Sequence, residues 1–245
     1  MRDDYSLFRP QDYLQEYYAT FDVEDAFVLS FLHRSYQRIG HVASVAEIGG
    51  GPCILTLISA RKYAELIVVA DYARENRLEL MKWLAGDPSA YSWGPYFNVV
   101  AELEGGSYDI AAMEDEVRRK TNVVMACDIR QPNPLHPFPA ASFDVVSCHS
   151  CVESVTTDRE DFEGALRNIV GVCKPGGYLL MSFIKDALGY QVGNTRYQSV
   201  SVDEAYLREA MQGAGCEVLM LESVDGRPGQ LYSGIIGLVA RRIAG

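Results

Sequence analysis

The chain has 245 residues, 48% of them hydrophobic and 22% charged, which is enough apolar material for one full-sized domain spanning 1–245 with a large core. Its net charge of −11 and pI near 4.8 create a field that repels polyanions, so neither a nucleic-acid surface nor an anionic-membrane surface is expected. The polar, tyrosine-rich start MRDDYSLFRPQDYLQEYY lacks the apolar core of a secretory signal, and no apolar run approaches the roughly 18 to 20 residues of a membrane span, so a soluble cytoplasmic protein, monomer or weak dimer, is expected.

In chain order, a short helix is predicted near 11–19 and an amphipathic one near 24–38. An α/β alternation follows. SVAEI (44–48) reads as a buried strand ending at glycines, ILTLISARKY as a helix, ELIVVAD (65–71) as a second strand and ARENRLELMKWL (73–84) as a helix. In the Gly-, Pro- and aromatic-rich 86–108 segment, FNVVAEL suggests an inserted strand, with DIAAMEDEVRRKT a helix beyond it. NVVMACD (122–128) and FDVVSCH (143–149) are further strands, flanking the proline-broken loop IRQPNPLHPFPAAS. DREDFEGALRNIVGVC reads as a helix, and KPGG turns into the strand YLLMSFI. VDEAYLREAMQGAG is a helix stopped by glycine, and CEVLMLESV and LYSGIIGLVARRI are the last strands, close together across DGRPGQ. The alternation implies a mostly parallel, Rossmann-like sheet with helices on both faces and an antiparallel hairpin at one edge.

The six cysteines, at 53, 127, 148, 151, 173 and 216, read as reduced thiols in a chain this large. Cys148 and Cys151 have CxxC spacing, but structural zinc needs four ligands and no second CxxC or paired-histidine motif accompanies them, so no metal is expected.

VAEIGGGPCIL (45–55) carries the main functional signal. In an open parallel sheet, ligands bind outside the carboxyl ends of the strands, and Gly49, Gly50 and Gly51 sit at that edge after the first strand. Without Cβ atoms they take positive φ and let a ligand lie against the backbone. A dinucleotide fingerprint needs GxGxxG, yet counting from Gly49 the third glycine position is Ile54. Glu47 would repel a pyrophosphate but suits an ammonium. Asp71, 20 residues after Gly51, suits ribose hydroxyls. S-adenosylmethionine has both groups and is the expected cofactor. Asp128 and Ile129 offer an acceptor and an apolar edge for adenine, although Asp128 also fits a simple turn cap before Pro132. His149, at the end of FDVVSCH, is assigned to the same site.

The segments FRPQDYLQEYY, AEIGGGP, IVVADYARENRLELMKWL, CDIRQ, CVES, ALRNIVGVCKPGGYLL and GLVARR together resemble the small-molecule methyltransferases that include nicotinamide, phenylethanolamine and indolethylamine N-methyltransferases. The resemblance runs almost end to end and implies a class I methyltransferase fold with a helical lid over 1–40 and a cofactor-binding core over 41–245. It also implies that Tyr5, Tyr13 and Tyr18 close over cofactor and acceptor, and that Asp71, Tyr72 and Asn76 contact the ribose and adenosine. Aromatic faces beside a sulfonium agree with that assignment, although Tyr13, Tyr17 and Tyr18 would equally pack a helix onto the domain.

Where nicotinamide-type members carry an aspartate after the KPGG strand, this chain has Phe183, which predicts a poor fit for nicotinamide. Phenylethanolamine-type members place carboxylates at positions matched by Glu153 and Asp186. These two, with Tyr18, are the expected catalytic groups, Lys185 stands beside Asp186, and Tyr190 and Ser199 match pocket-lining positions. The expected reaction is methyl transfer to a small-molecule acceptor, an amine nitrogen first. O- or S-methylation, a non-methyl use of S-adenosylmethionine that releases methylthioadenosine, and a binding module without turnover remain open.

Overall fold

The structure, a computed structural model, describes residues 5–106 and 109–244; the MRDD start and the end of the 86–108 segment lie outside the described residues. The central strands β1 (Val42–Ile48), β2 (Ala64–Asp71), β3 (Thr121–Ala126) and β4 (Phe143–His149) are parallel. Strands β1, β2 and β4 are rich in Val, Ala and Ile, as a strand covered on both faces requires. β5 (Cys173–Lys185) continues the parallel set. β8 (Cys216–Asp225) and β9 (Gly234–Arg242) then complete a seven-stranded sheet in the order β3-β2-β1-β4-β5-β9-β8. β9 runs antiparallel to both neighbours and forms the expected edge hairpin with β8. The two short strands β6 (Tyr190–Val192) and β7 (Thr195–Tyr197) pair separately.

β1 lies between β2 and β4, so the strand order reverses at its carboxyl end, where an open sheet leaves a crevice. Helices α1 (Pro10–Tyr18), α2 (Val23–Ile39), α3 (Leu55–Tyr63), α4 (Arg74–Leu84), α5 (Gly94–Leu103) and α6 (Ile110–Lys120) precede β3 or connect the first strands. A short α7 (Val152–Val155), α8 (Arg159–Val172) and α9 (Glu204–Gly213) follow. One core, with Phe162, Leu166, Leu207 and Met211, fills the α8–α9 face, and the other, with Leu29, Phe31, Ile58 and Phe97, fills the α2–α3–α5 face. β5 serves both: Leu179, Met181 and Phe183 join the first, Leu180 the second.

FNVVAEL is helical, not a strand. It lies in α5, which carries Pro95 in its first turn and buries Tyr96, Phe97, Val100 and Ala101. That is one face of a 3.6-residue period, which the short apolar run alone does not distinguish from a strand. KPGG also belongs to β5, whose register against β4 shifts there. α2 is held close to the sheet because position 237 is glycine; a Cβ there would meet the Phe31 ring at 2.8 Å. This close approach brings the first turn of α2 to the cavity at the sheet's carboxyl edge.

Candidate active site

That edge holds a cavity of about 320 Å³, lined by strand ends, by the helices before β1, and by the loop before β9. At its floor the chain leaves β1 through Gly49 (φ 70°) and Gly51 (φ 60°), a left-handed backbone that glycine adopts without strain. A Cβ on Gly49 would overlap the Cys151 thiol and approach Cys151 Cβ to 2.8 Å. Asp71, at the end of β2, fastens the turn. Its Oδ2 accepts from the Gly51 amide at 2.8 Å, and its Oδ1 from the Ala73 amide at 2.8 Å and Asn76 Nδ2 at 3.0 Å. Burial pushes its pKa up, opposed by these donors, Asn76 first.

Glu47 lines the same floor at 1% exposure, and its Oε1 has no hydrogen-bond partner among the described residues. Burial pushes its pKa up to about 7. A buried carboxylate oxygen without a donor is costly unless a ligand supplies one. Tyr72, exposed at 66%, Asn76, Asp128 and Ile129 line the next part of the wall. Asp128 Oδ1 accepts from the Arg130 amide at 3.0 Å, so it caps its turn and faces the cavity as well. His149 is held between Ser147 Oγ at 2.8 Å and Ser182 Oγ at 2.9 Å, and burial pushes its pKa down to about 3, leaving a neutral ring on the wall.

Aromatic rings cover the cavity. The Tyr5 hydroxyl donates to Ser154 O at 2.6 Å, lies 3.2 Å from the Tyr190 hydroxyl, and its ring stacks on Tyr197 at 5.3 Å. Tyr13 meets Tyr18 edge-on at 5.7 Å, and Tyr18 meets Trp93 at 5.2 Å. Burial raises the pKa of both Tyr13 and Tyr18 well above the ordinary phenol value.

Another part of the lining is charged. Glu24 Oε1 accepts from the Arg227 amide at 2.7 Å, and its Oε2 from Tyr232 Oη at 2.8 Å and Arg227 Nε at 3.2 Å. Asp22 Oδ2 lies 2.9 Å from the same Nε. Asp25, beside them, is buried, with Val28, Ile184 and Ile235 forming apolar wall nearby.

The floor fits S-adenosylmethionine on its donor set: an unpaired carboxylate oxygen for an ammonium, glycines where a Cβ has no room, and a carboxylate at the end of β2. The whole chain is similar to curated methyltransferases. It is 30% identical to human nicotinamide N-methyltransferase over 98% of this chain and 94% of that protein. It is 32% identical to mouse indolethylamine N-methyltransferase over 96% and 93%. Residues 1–242 match the description of the NNMT/PNMT/TEMT family. The chain belongs to that family. Its fold is also that of magnesium protoporphyrin IX methyltransferase from Synechocystis PCC 6803 with bound SAH, at TM-score 0.61 and 15% identity over 98% of this chain and 96% of that one. The protein is a methyltransferase that uses S-adenosylmethionine.

Within this family frame, four of the expected acceptor residues, Phe183, Glu153, Asp186 and Ser199, lie off the cavity. Phe183 is fully buried in the α8–α9 core, 6.0 Å from the Phe162 ring, because strand alternation sends Ser182 and Ile184 to the cavity and the residue between them to the other face. The expectation of a poor fit for nicotinamide therefore loses its basis. Glu153 is fully buried behind the wall, where its Oε1 accepts from the Ile184 amide at 2.7 Å and its carbonyl from the Val200 amide at 2.8 Å. Burial pushes its pKa up to about 8. It joins α7 to β5.

Asp186 is exposed, with φ of 50°, and accepts from Ser233 Oγ at 2.7 Å. Lys185 pairs with Glu204 at 2.7 Å and not with Asp186. Ser199 is half-buried and does not line the cavity, whereas Tyr190 does. Glu24, Asp25, Arg227 and Tyr232 escaped the sequence reading. Arg227 sits in a turn-like DGRPGQ that carries no motif. The one signal for Asp25 was the D-x-x-D spacing of a capping box at the start of α2.

Proposed function

We propose that the methyl acceptor is a small amine with an apolar, ring-sized body, methylated on nitrogen. The observation that carries this reading is the sign of the acceptor end. Two carboxylates, Asp22 and Glu24, pair with one guanidinium, Arg227, and Glu24 and Asp25 line the cavity with the Tyr17 and Tyr18 rings and the apolar Val28, Ile184 and Ile235. An excess of carboxylates over cations attracts a cation and repels an acidic acceptor. Curated relatives are named for N-methylation, which agrees.

When bound, S-adenosylmethionine supplies an electrophilic methyl group, so no nucleophilic side chain is needed. The chain's own residues supply binding, alignment and dryness. Glu47 would take the ammonium of the cofactor's amino acid, Asp71 the ribose, and Asp128 with Ile129 the adenine. Tyr5, Tyr13 and Tyr18, on the segment before α2, would exclude water and offer ring faces to positive charge. The neutral His149 adds no repulsion near a sulfonium. Proximity and alignment of this kind contribute up to about 7 to 11 kcal/mol to lowering the barrier.

The test is a screen with methyl-labelled cofactor against arylethylamines, phenols and thiols, with product mass spectrometry. N-methyl products from the amines are expected. Transfer confined to hydroxyl or thiol acceptors would overturn the amine reading.

A further inference from the structure

With Glu153 and Asp186 off the cavity, the acceptor needs another carboxylate if its nitrogen is to be oriented and deprotonated by the protein. Glu24 is already occupied, since both its oxygens accept from Arg227 or Tyr232. Glu47 stands on the cofactor floor, 3.1 Å below where a Gly50 Cβ would be. Asp25 differs from both. It is 6% exposed and lines the cavity. Its Oδ2 is pinned by the Asp22 amide at 3.2 Å and the Tyr96 hydroxyl at 3.2 Å. Both of these bonds fall on Oδ2, and Oδ1 takes part in neither. The Cys53 thiol, whose pKa is raised first by burial, is raised further by the charges of Asp71, Glu47 and Asp25, and Cys53 and all three carboxylates line the cavity.

We infer that Asp25 is the acceptor carboxylate of this enzyme, holding the ammonium of an amine acceptor on Oδ1 and taking the proton that must leave before the nitrogen can attack. The inference rests on the amine reading above. An ammonium has no lone pair. Passing one proton to Oδ1 leaves a neutral amine and a neutral Asp25. The amine nitrogen then forms its bond to the methyl carbon as the carbon–sulfur bond breaks, that bond's electron pair goes to sulfur, and the positive charge moves to nitrogen. Asp25 returns its proton to water when the product leaves.

The surroundings suit the task. Burial first, then the charge of Asp22, pushes Asp25 up to about 7, against the Asp22 amide, Tyr96 and Arg227, which pull it down. The other groups facing it are Glu24 on its own helix, Tyr18 at the end of α1, Cys53 beyond the glycine turn, and Tyr91 before α5. The tyrosines and the thiol are pushed up, out of the neutral range.

The experiment uses the intact chain with indolethylamine as probe acceptor. Asp25→Asn should lower kcat/KM by about 10- to 100-fold, the scale of a hydrogen bond to a charged group, while leaving the melting shift caused by S-adenosylhomocysteine unchanged. Tyr96→Phe removes a donor that holds the Asp25 pKa down, so the rising limb of kcat/KM against pH should move to higher pH. A cap role alone would not move it. Tyr96 makes no hydrogen bond to Glu47, which keeps the two carboxylates apart in this readout. Wild-type protein that methylates no amine would overturn the amine reading and this assignment with it. Amine methylation at full rate by Asp25→Asn would overturn the assignment alone, as would a limb that Tyr96→Phe leaves in place. Should Asp25→Asn fail to fold, the Tyr96→Phe limb decides.

Discussion

The two ends of the cavity are built by different means. The proposed cofactor floor is mostly backbone: a left-handed glycine turn, the amides of Gly51 and Ala73 on Asp71, and carboxylates at the ends of adjacent parallel strands. The proposed acceptor end is mostly side chains, brought from the first turn of α2 and from a loop about 200 residues later in the chain, joined at Glu24 by Arg227 and Tyr232. Strand ends keep their spacing whatever surface residues do. A wall of salt-bridged side chains changes with single substitutions, which lets one floor serve different acceptors.

A substitution on the floor should therefore abolish cofactor binding, and one on the acceptor wall should spare it. Gly49→Val has the largest expected effect. A β-branched residue at φ 70° meeting Cys151 fills the floor, so the melting shift with S-adenosylhomocysteine should disappear, and stability should fall by about 2 to 4 kcal/mol. A normal shift in this variant would mean that the turn is not the floor. Arg227→Met comes next. It leaves Asp22 and Glu24 without their guanidinium, so kcat/KM for amines should change at least about tenfold while cofactor affinity stays within about twofold. Loss of cofactor binding there would show the two ends to be one unit.

Smaller effects sharpen the same contrast by testing groups behind the wall. Glu153 has a folded pKa of about 8, above the ordinary 4.5. It is protonated in the fold while the unfolded chain has lost its proton, so its contribution to stability is full below about 4.5 and is lost as pH rises through about 8. Melting temperature followed from pH 5 to 8 should therefore decline less in Glu153→Gln than in wild type; equal slopes would show that the side chain is not held neutral. Phe183→Leu should cost only about 1 to 1.5 kcal/mol by chemical denaturation and leave the ranking of acceptors unaltered, because the ring faces the α8–α9 core. A changed ranking would return Phe183 to the cavity.

The floor and most elements were legible in the sequence because they rest on local patterns. β-branched runs ending in glycine mark strands whose carboxyl ends bind ligands, and Glu47, Asp71 and Asp128 were found by their distance from those ends. FNVVAEL was misread because a short apolar run fits both periods, and only the neighbours that bury Tyr96, Phe97, Val100 and Ala101 choose between them.

Composition, periodicity and motif spacing by themselves pointed to an α/β sheet with a ligand floor at the ends of β1, β2 and β3, and the family resemblance supplied the methyltransferase. Tertiary structure alone decided the acceptor wall. One residue of register separates Ser182 and Ile184 in the cavity from Phe183 in the core, and a carboxylate such as Glu153 points into whichever space its helix leaves. Asp25 and Arg227 line one cavity, with α2 close against β9 where Gly237 leaves room for the Phe31 ring, and a juxtaposition of residues so distant in the chain leaves no local pattern to read.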